Sequence, residues 1–323
     1  MARRQTVGEY RQHILVIRLS ALGDVAILQP VMRQRAEANR DVLFTLAGPP
    51  RLQSLFGGMD NVRYLPMPKR QTPREIYTQL KTLKPDKVAD MHHVLRTIGV
   101  GWLFRMHGVP VYSIHKRIPR NMPSWKRYDE VFRRCGLQEM PQGNESHWPA
   151  PVAGKREYTI GVAPFTQHEG KQYPLPMMEQ VVRQLAMEEG HGIVLFGSAE
   201  ESEVLQSWAE RYAHVENLAG KLPFDAELQR IASLDVMVSM DSANMHFASC
   251  YGVPVVSIWG ATHPCRGFYG WRQNPDWAVQ TDMPCRPCSK FGNKPCRKGG
   301  YPCMTNISAE TIVGKVRTLL GKG

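Results

Sequence analysis

No apolar run in this chain approaches the ~18 residues that a membrane-spanning helix needs. The longest, residues 14–19, is interrupted by Arg18. The basic start Met1-Ala2-Arg3-Arg4-Gln5 is not followed by an apolar stretch with a small-residue cleavage site, so neither a signal peptide nor a twin-Arg signal is read there. No Gly-x-Gly-x-x-Gly follows an opening strand, which argues against a dinucleotide-dependent oxidoreductase, and no Gly-x4-Gly-Lys-Ser/Thr marks a P-loop. No pair of carboxylates stands where Mg²⁺ would be gripped beside a diphosphate. Cysteine is sparse and odd in number, seven in 323 residues. With no secretory signal, that implies a reducing, cytoplasmic setting, in which the sequons at Asn144 and Asn306 carry no meaning.

Acidic residues are short in one half only. Residues 1–150 hold 24 Lys and Arg against 12 Asp and Glu, while residues 151–323 hold 17 of each. The whole excess of the +12 net charge therefore sits on the first half. Such asymmetry points to an anionic partner: nucleic acid, a membrane surface or a phosphorylated substrate. A basic surface that only aids solubility is the plain alternative.

Apolar strands alternate with helical stretches throughout. Strands are expected at 14–19, 42–47 and 87–90, and helices at 25–40 and 73–83. After a Pro-, Gly- and Asn-rich stretch within 135–156, strands are expected at 158–163, 193–196, 236–240 and 255–259. Helices are expected at 176–189, 200–211, 225–233, 244–251 and 308–320, with 260–302 as loop. The alternation is that of an α/β protein with doubly wound parallel sheets, in two Rossmann-like domains facing across a cleft. The boundary falls at 152/153, with the last helix free to pack back on the first domain.

Three segments sit where such sheets bind ligands, just past the carboxyl ends of strands. In Asp241-Ser242-Ala243-Asn244-Met245-His246 a strand gives way to a helix whose first amides can hold an anion such as a diphosphate. Simple capping is the other reading. Lys171, in Lys171-Gln172-Tyr173-Pro174, can neutralise a phosphate or be a solvated loop lysine. Asp24, in Ser20-Ala21-Leu22-Gly23-Asp24, can act as a general base on a hydroxyl or cap the next helix. His92-His93 beside Asp90 reads as a metal-binding or a cleft-lining pair. Cys285, Cys288, Cys296 and Cys303 have the count and the Cys-x2-Cys pair of a structural zinc site, with free thiols as the alternative. The basic half and this cysteine group also leave open a nucleic-acid-binding protein with a Cys-rich metal site, although they lie in different halves without interleaved aromatics.

Taken in order, the residues from Ile14 to Asp24, Lys171-Gln172-Tyr173-Pro174, Asp241 to His246, Gly252-Val253-Pro254-Val255-Val256 and Gly260-Ala261-Thr262-His263-Pro264 resemble the lipopolysaccharide heptosyltransferases of glycosyltransferase family 9. The resemblance implies a B-type glycosyltransferase fold. It implies inverting transfer of a heptose or related sugar from an ADP-sugar to a lipopolysaccharide core or similar acidic glycolipid, with no required metal. Asp24 becomes the general base. Lys171 and the helix from Ser242, with Ala243 and Asn244, become the diphosphate seat, Asp241 and His246 order the donor site, and Glu200 (or Glu201) meets the ribose. Tyr173 stands where the family has Trp, and Ala243 where it often has Gly. Acceptor contacts are expected from the basic residues of 90–150, namely Arg117, Arg120 and Lys126. Peripheral contact with the inner membrane would be reinforced by Arg63, Lys69, Arg70, Arg74, Lys116 and Arg127. No nucleic-acid partner is expected on this reading.

Overall fold

The computed structural model describes residues 10–114, 122–138 and 157–321. The chain divides into two compact units, Met1–Gln142 and Gly143–Gly323. The expected boundary at 152/153 lies outside the described residues, as do Lys116, Arg117 and Arg120.

The first unit opens with β1 (Gln12–Ile17), α1 (Leu22–Ala38), β2 (Val42–Gly48) and β3 (Val62–Pro66). It continues with α2 (Pro73–Leu80), β4 (Lys87–Asp90), α3 (Leu95–Met106), β5 (Val111–Ser113) and α4 (Ser124–Arg134). Its sheet is parallel in the order β3-β2-β1-β4-β5. The central strands β1 and β2 are apolar almost throughout because helices cover both faces of a parallel sheet. Thr72 starts α2 with a capping box: its hydroxyl accepts from the Glu75 amide, and the Glu75 carboxylate accepts from the Thr72 amide.

The second unit repeats the plan with β6 (Tyr158–Ala163), α5 (Leu175–Ala186), β7 (His191–Leu195), α6 (Ser202–Arg211) and β8 (Val215–Asn217). Then follow α7 (Phe224–Ala232), β9 (Val236–Met240), α8 (Ala243–Cys250), β10 (Val255–Trp259), β11 (Ala278–Gln280), α9 (Pro302–Thr305) and α10 (Ala309–Leu319). The six-stranded order is β11-β10-β9-β6-β7-β8, again all parallel. Val162, Val182, Val238, Ile258, Ile312 and Val316 share its core. Ser308 caps α10, and α10 packs against α5, β9 and β10 of its own unit.

Several elements go beyond the sequence expectations. α3 and α4 were not foreseen, nor were the edge strands β3, β5, β8 and β11. β5, β8 and β11 have three residues each, too few for an alternating pattern to register.

In each sheet the strand order reverses once, between β1 and β4 in the first unit and between β6 and β9 in the second. At such a point the connections leave in opposite directions and open a crevice beyond the carboxyl ends of the strands. The chemistry-bearing residues collect at these two places.

Candidate active site

In the first unit, β1 runs into Arg18 and α1 begins at Leu22, so Asp24 falls in the first turn of α1. It does not cap the helix. The cap position is Ala21, with no side-chain cap bond. Instead an Asp24 carboxylate oxygen lies 2.5 Å from the Arg18 guanidinium. Arg18 is buried, donates to the Met91 carbonyl at 2.6 Å and lies over the Tyr128 ring. Burial works against the Arg18 charge, but Tyr128, Asp24 and Asp90 more than offset it, and its pKa is raised. Asp24 thus has a fixed cation at its back, and a fifth of its side chain remains open to solvent.

Asp90 ends β4 on the other side of the reversal and is buried. Its carboxylate accepts from the His92 and His93 amides at 3.0 and 2.9 Å, shaping the turn. His92 Nε2 lies 3.1 Å from Ser20 Oγ. Burial, helped by Arg18 and Arg96, lowers the His92 pKa to about 4, so the ring is neutral near pH 7. His92 thus stands beside Ser20 at the Asp24 edge, and no metal-holding group of His, Cys, Asp or Glu occurs among the described residues.

In the second unit, Asp241 follows β9 and Lys171 lies in the 3₁₀ turn Glu169–Lys171 after β6, so the two flank the reversal. Lys171 Nζ is 2.8 Å from the buried Asp241 carboxylate. Ser242 is the N-cap of α8, yet its hydroxyl does not cap: it lies 2.9 Å from Ser239 Oγ. The start of α8, with Ala243 and Asn244 in its first turn, therefore has no side-chain cap, and Lys171 stands beside it. Free amides, the positive end of the helix dipole and an ammonium form a seat for a polyanion. His246 is buried one turn further along.

The Lys171 turn is itself held by distant residues. The Gly170 amide donates to the Gly292 carbonyl at 3.0 Å, and the Ala261 amide donates to the Gly170 carbonyl at 2.8 Å. Gly292 has φ +77°, and a Cβ there would come 2.6 Å from Lys171 Cγ. Gly292→Ala should therefore push the Lys171 side chain aside and weaken polyanion binding about five- to tenfold by calorimetry, a partial loss of a charge-assisted hydrogen bond that contributes ~1.5–3 kcal/mol. Gly299→Ala has similar strain (φ +70°) and no neighbour within 4 Å, so it should leave affinity unchanged.

Tyr173, in place of the family's Trp, is fully buried and donates to the Ile307 carbonyl at 2.8 Å; burial pushes its hydroxyl to about 12. Gln172 ties the turn to Thr166 and Pro164. Glu201 is engaged in a capping box with Ser198. That leaves Glu200 as the exposed carboxylate, lowered by a hydrogen bond from Ser198.

Of the candidate zinc set, Cys285, Cys288 and Cys296 lie within electrostatic reach of Cys303, although no group of His, Cys, Asp or Glu among the described residues has the arrangement of a metal site. Cys285 and Cys288 are exposed, Cys296 half-buried and Cys303 buried, all as free cysteines. Between the first two, Arg286 sends its guanidinium inward to the carbonyls of Trp259 (3.1 Å), Gly260 (2.5 Å), Thr262 (3.1 Å) and Thr281. A guanidinium fork pins this loop to the end of β10. Lys126 lies on α4 with Nζ 5.2 Å from the Trp125 ring centroid.

The family model described as "Glycosyltransferase family 9 (heptosyltransferase)" matches residues 75–297. The chain belongs to that family. Lys171, Glu200 and Asp241 to His246 lie inside the matched span, and Asp24 precedes it. A family relative named lipooligosaccharide heptosyltransferase 2, from Campylobacter jejuni, is 29% identical over 141 residues, 42% of this chain and 43% of the relative. Lipopolysaccharide heptosyltransferase 2 of Escherichia coli K12 is 30% identical over 157 residues, 42% of this chain and 44% of the relative. The aligned segments thus span less than half of these curated relatives. Among solved structures, a family 9 glycosyltransferase from Veillonella parvula superposes with TM-score 0.76 at 18% identity, covering 97% of this chain and 98% of that one. E. coli ADP-heptose lipopolysaccharide heptosyltransferase II gives TM-score 0.71 at 19% identity, covering 96% and 99%. The fold of this family 9 chain is that of the B-type glycosyltransferases.

Arg18 was the residue that sequence reading missed. It looked like an interruption of an apolar run. A lone charge in a central strand sequence, six residues before a carboxylate at the same sheet edge, is the signal that could have found it.

Proposed function

We propose that the chain transfers a heptose or related sugar from an ADP-sugar to a lipopolysaccharide-core type of acceptor, with inversion at the anomeric carbon. The observation that carries this reading is the Lys171–Asp241 pair beside the uncapped start of α8. Breaking the anomeric C–O bond leaves negative charge on the departing diphosphate, and preorganised donors aimed at that charge are the usual largest contribution to catalysis. Lys171 and the first amides of α8 would supply them without a required metal ion. Asp241 orients the lysine, and His246 supports the donor site from within α8. The exposed Glu200 carboxylate suits a ribose diol.

Asp24 would take the proton from the attacking acceptor hydroxyl on the face opposite the diphosphate. Arg18 holds the carboxylate in place. Arg117, Arg120 and Lys126 remain the proposed contacts to acceptor phosphates. The nucleic-acid-binding alternative gives way to the family match.

A thermal-shift screen of nucleotide diphosphates tests the donor assignment. A ligand at 100 times its Kd stabilises by ~2.7 kcal/mol. ADP and ADP-sugars should therefore raise Tm by several degrees, with or without EDTA, while UDP, GDP and NAD do not. Stabilisation by UDP-sugars alone, or dependence on a divalent ion, would contradict it.

A further inference from the structure

The first unit carries an exposed apolar stripe that the proposed transfer does not use. On α3, Leu95 is 90% exposed, Trp102 60% and Met106 61%. At about 100° per residue, positions 95, 99, 102 and 106 fall on one face of the helix. Gly99, the remaining position, is where the stripe runs against α2: a Cβ there would sit 3.2 Å from Pro73. Large apolar side chains exposed together on one face, rather than singly, mark an interaction surface.

The surroundings say what kind. The α3 stripe adjoins α2, whose start bears the exposed Arg74, and Arg96 of α3 donates to the Lys69 carbonyl at 2.7 Å. This brings the exposed Lys69 and Arg70 to the rim, and Arg105 stands on the other flank of the stripe. Residues 91–114, which carry α3 and β5, contain Arg96 and Arg105 and no Asp or Glu. An isologous contact with a second copy would set basic rim against basic rim. Apolar side chains including a Trp, framed by cations, match the headgroup region of an anionic bilayer.

We propose that the α3 face of Leu95, Trp102 and Met106, rimmed by Lys69, Arg70, Arg74 and Arg105, docks the protein on an anionic membrane surface. α3 follows directly on Asp90-Met91-His92-His93, at the same edge of the sheet as Ser20 and Asp24. A membrane held there keeps the head of a lipid-anchored acceptor near Asp24, a consequence that rests on the transfer reading, whereas the docking itself does not.

The test is co-sedimentation of the full chain with phosphatidylcholine vesicles, with or without phosphatidylglycerol, in the absence of any sugar substrate. Binding should require the anionic lipid and be released by ~0.5 M salt, where the screening length shortens to a few ångströms. Replacing Leu95, Trp102 and Met106 together by Ser should lower partitioning about tenfold or more, as should Lys69→Glu with Arg70→Glu and Arg74→Glu. Met187→Ser, removing a side chain 80% exposed in the other unit, should change nothing. The Ser variant should keep the wild-type Tm and ADP response, so a failed donor assignment is visible separately. Equal binding to neutral vesicles, or undiminished binding by the Ser variant, overturns the proposal. So does a dimer, seen by light scattering, that the Ser variant abolishes while vesicle binding persists.

Discussion

Asp24→Asn should lower sugar-transfer turnover by about 10²- to 10⁴-fold, the range for loss of a positioned general base, and leave ADP affinity within about twofold. Asn keeps the shape of the side chain and its bond to Arg18 but cannot take a proton. The substitution also removes the charge that balances a buried guanidinium, and breaking a fully buried ion pair costs ~3–5 kcal/mol. Here the cost should be smaller, because Asp24 is a fifth exposed and Arg18 keeps the Met91 carbonyl and the nearby Asp90 charge. Melting curves beside the kinetics separate the two effects. A variant that is folded, binds ADP and turns over at the wild-type rate would remove Asp24 from the chemistry.

Lys171→Ala should weaken ADP and ADP-sugar binding together, by about ten- to 150-fold in a calorimetric titration. A charge-assisted hydrogen bond of this kind contributes ~1.5–3 kcal/mol. Because Lys171 also neutralises the buried Asp241, the single variant alone cannot tell a lost phosphate contact from a repelling carboxylate left behind. The double variant Lys171→Ala with Asp241→Asn resolves this. If the ammonium contacts the diphosphate, the double variant stays weak. Recovery of wild-type affinity would mean that Lys171 only balances Asp241.

How far the sequence carried this picture differs from element to element. β1, β2, β6, β9 and β10 were legible because strands buried on both faces are written as continuous β-branched runs. α3 was not, because its solvent face carries Leu95, Trp102 and Met106 where polar residues would reveal a helical period. The same substitution of apolar for polar residues that hid the helix is what marks it as a docking face.

At the site, Asp24, Lys171 and Asp241 were each visible as reactive types just past a strand, but their partners were not. Lys171 depends on Gly292, more than a hundred positions away, and Asp24 on a cation just past the end of β1. Strand-order reversal brings Lys171 to Asp241 and sets Asp24 and Asp90 around Arg18. The cysteine group was legible only as a count and a Cys-x2-Cys pair; that its loop closes on Arg286 and the carbonyls ending β10 was not.

The most direct measurement is transfer itself. The purified chain is incubated with ADP-heptose and a lipopolysaccharide acceptor lacking its heptose, and the lipid product and released ADP are quantified by mass spectrometry. The account predicts one heptosyl residue added per ADP released, formed with inverted anomeric configuration and lost in Asp24→Asn. Retention of configuration, or no consumption of ADP-heptose by a protein that ADP demonstrably stabilises, would contradict it.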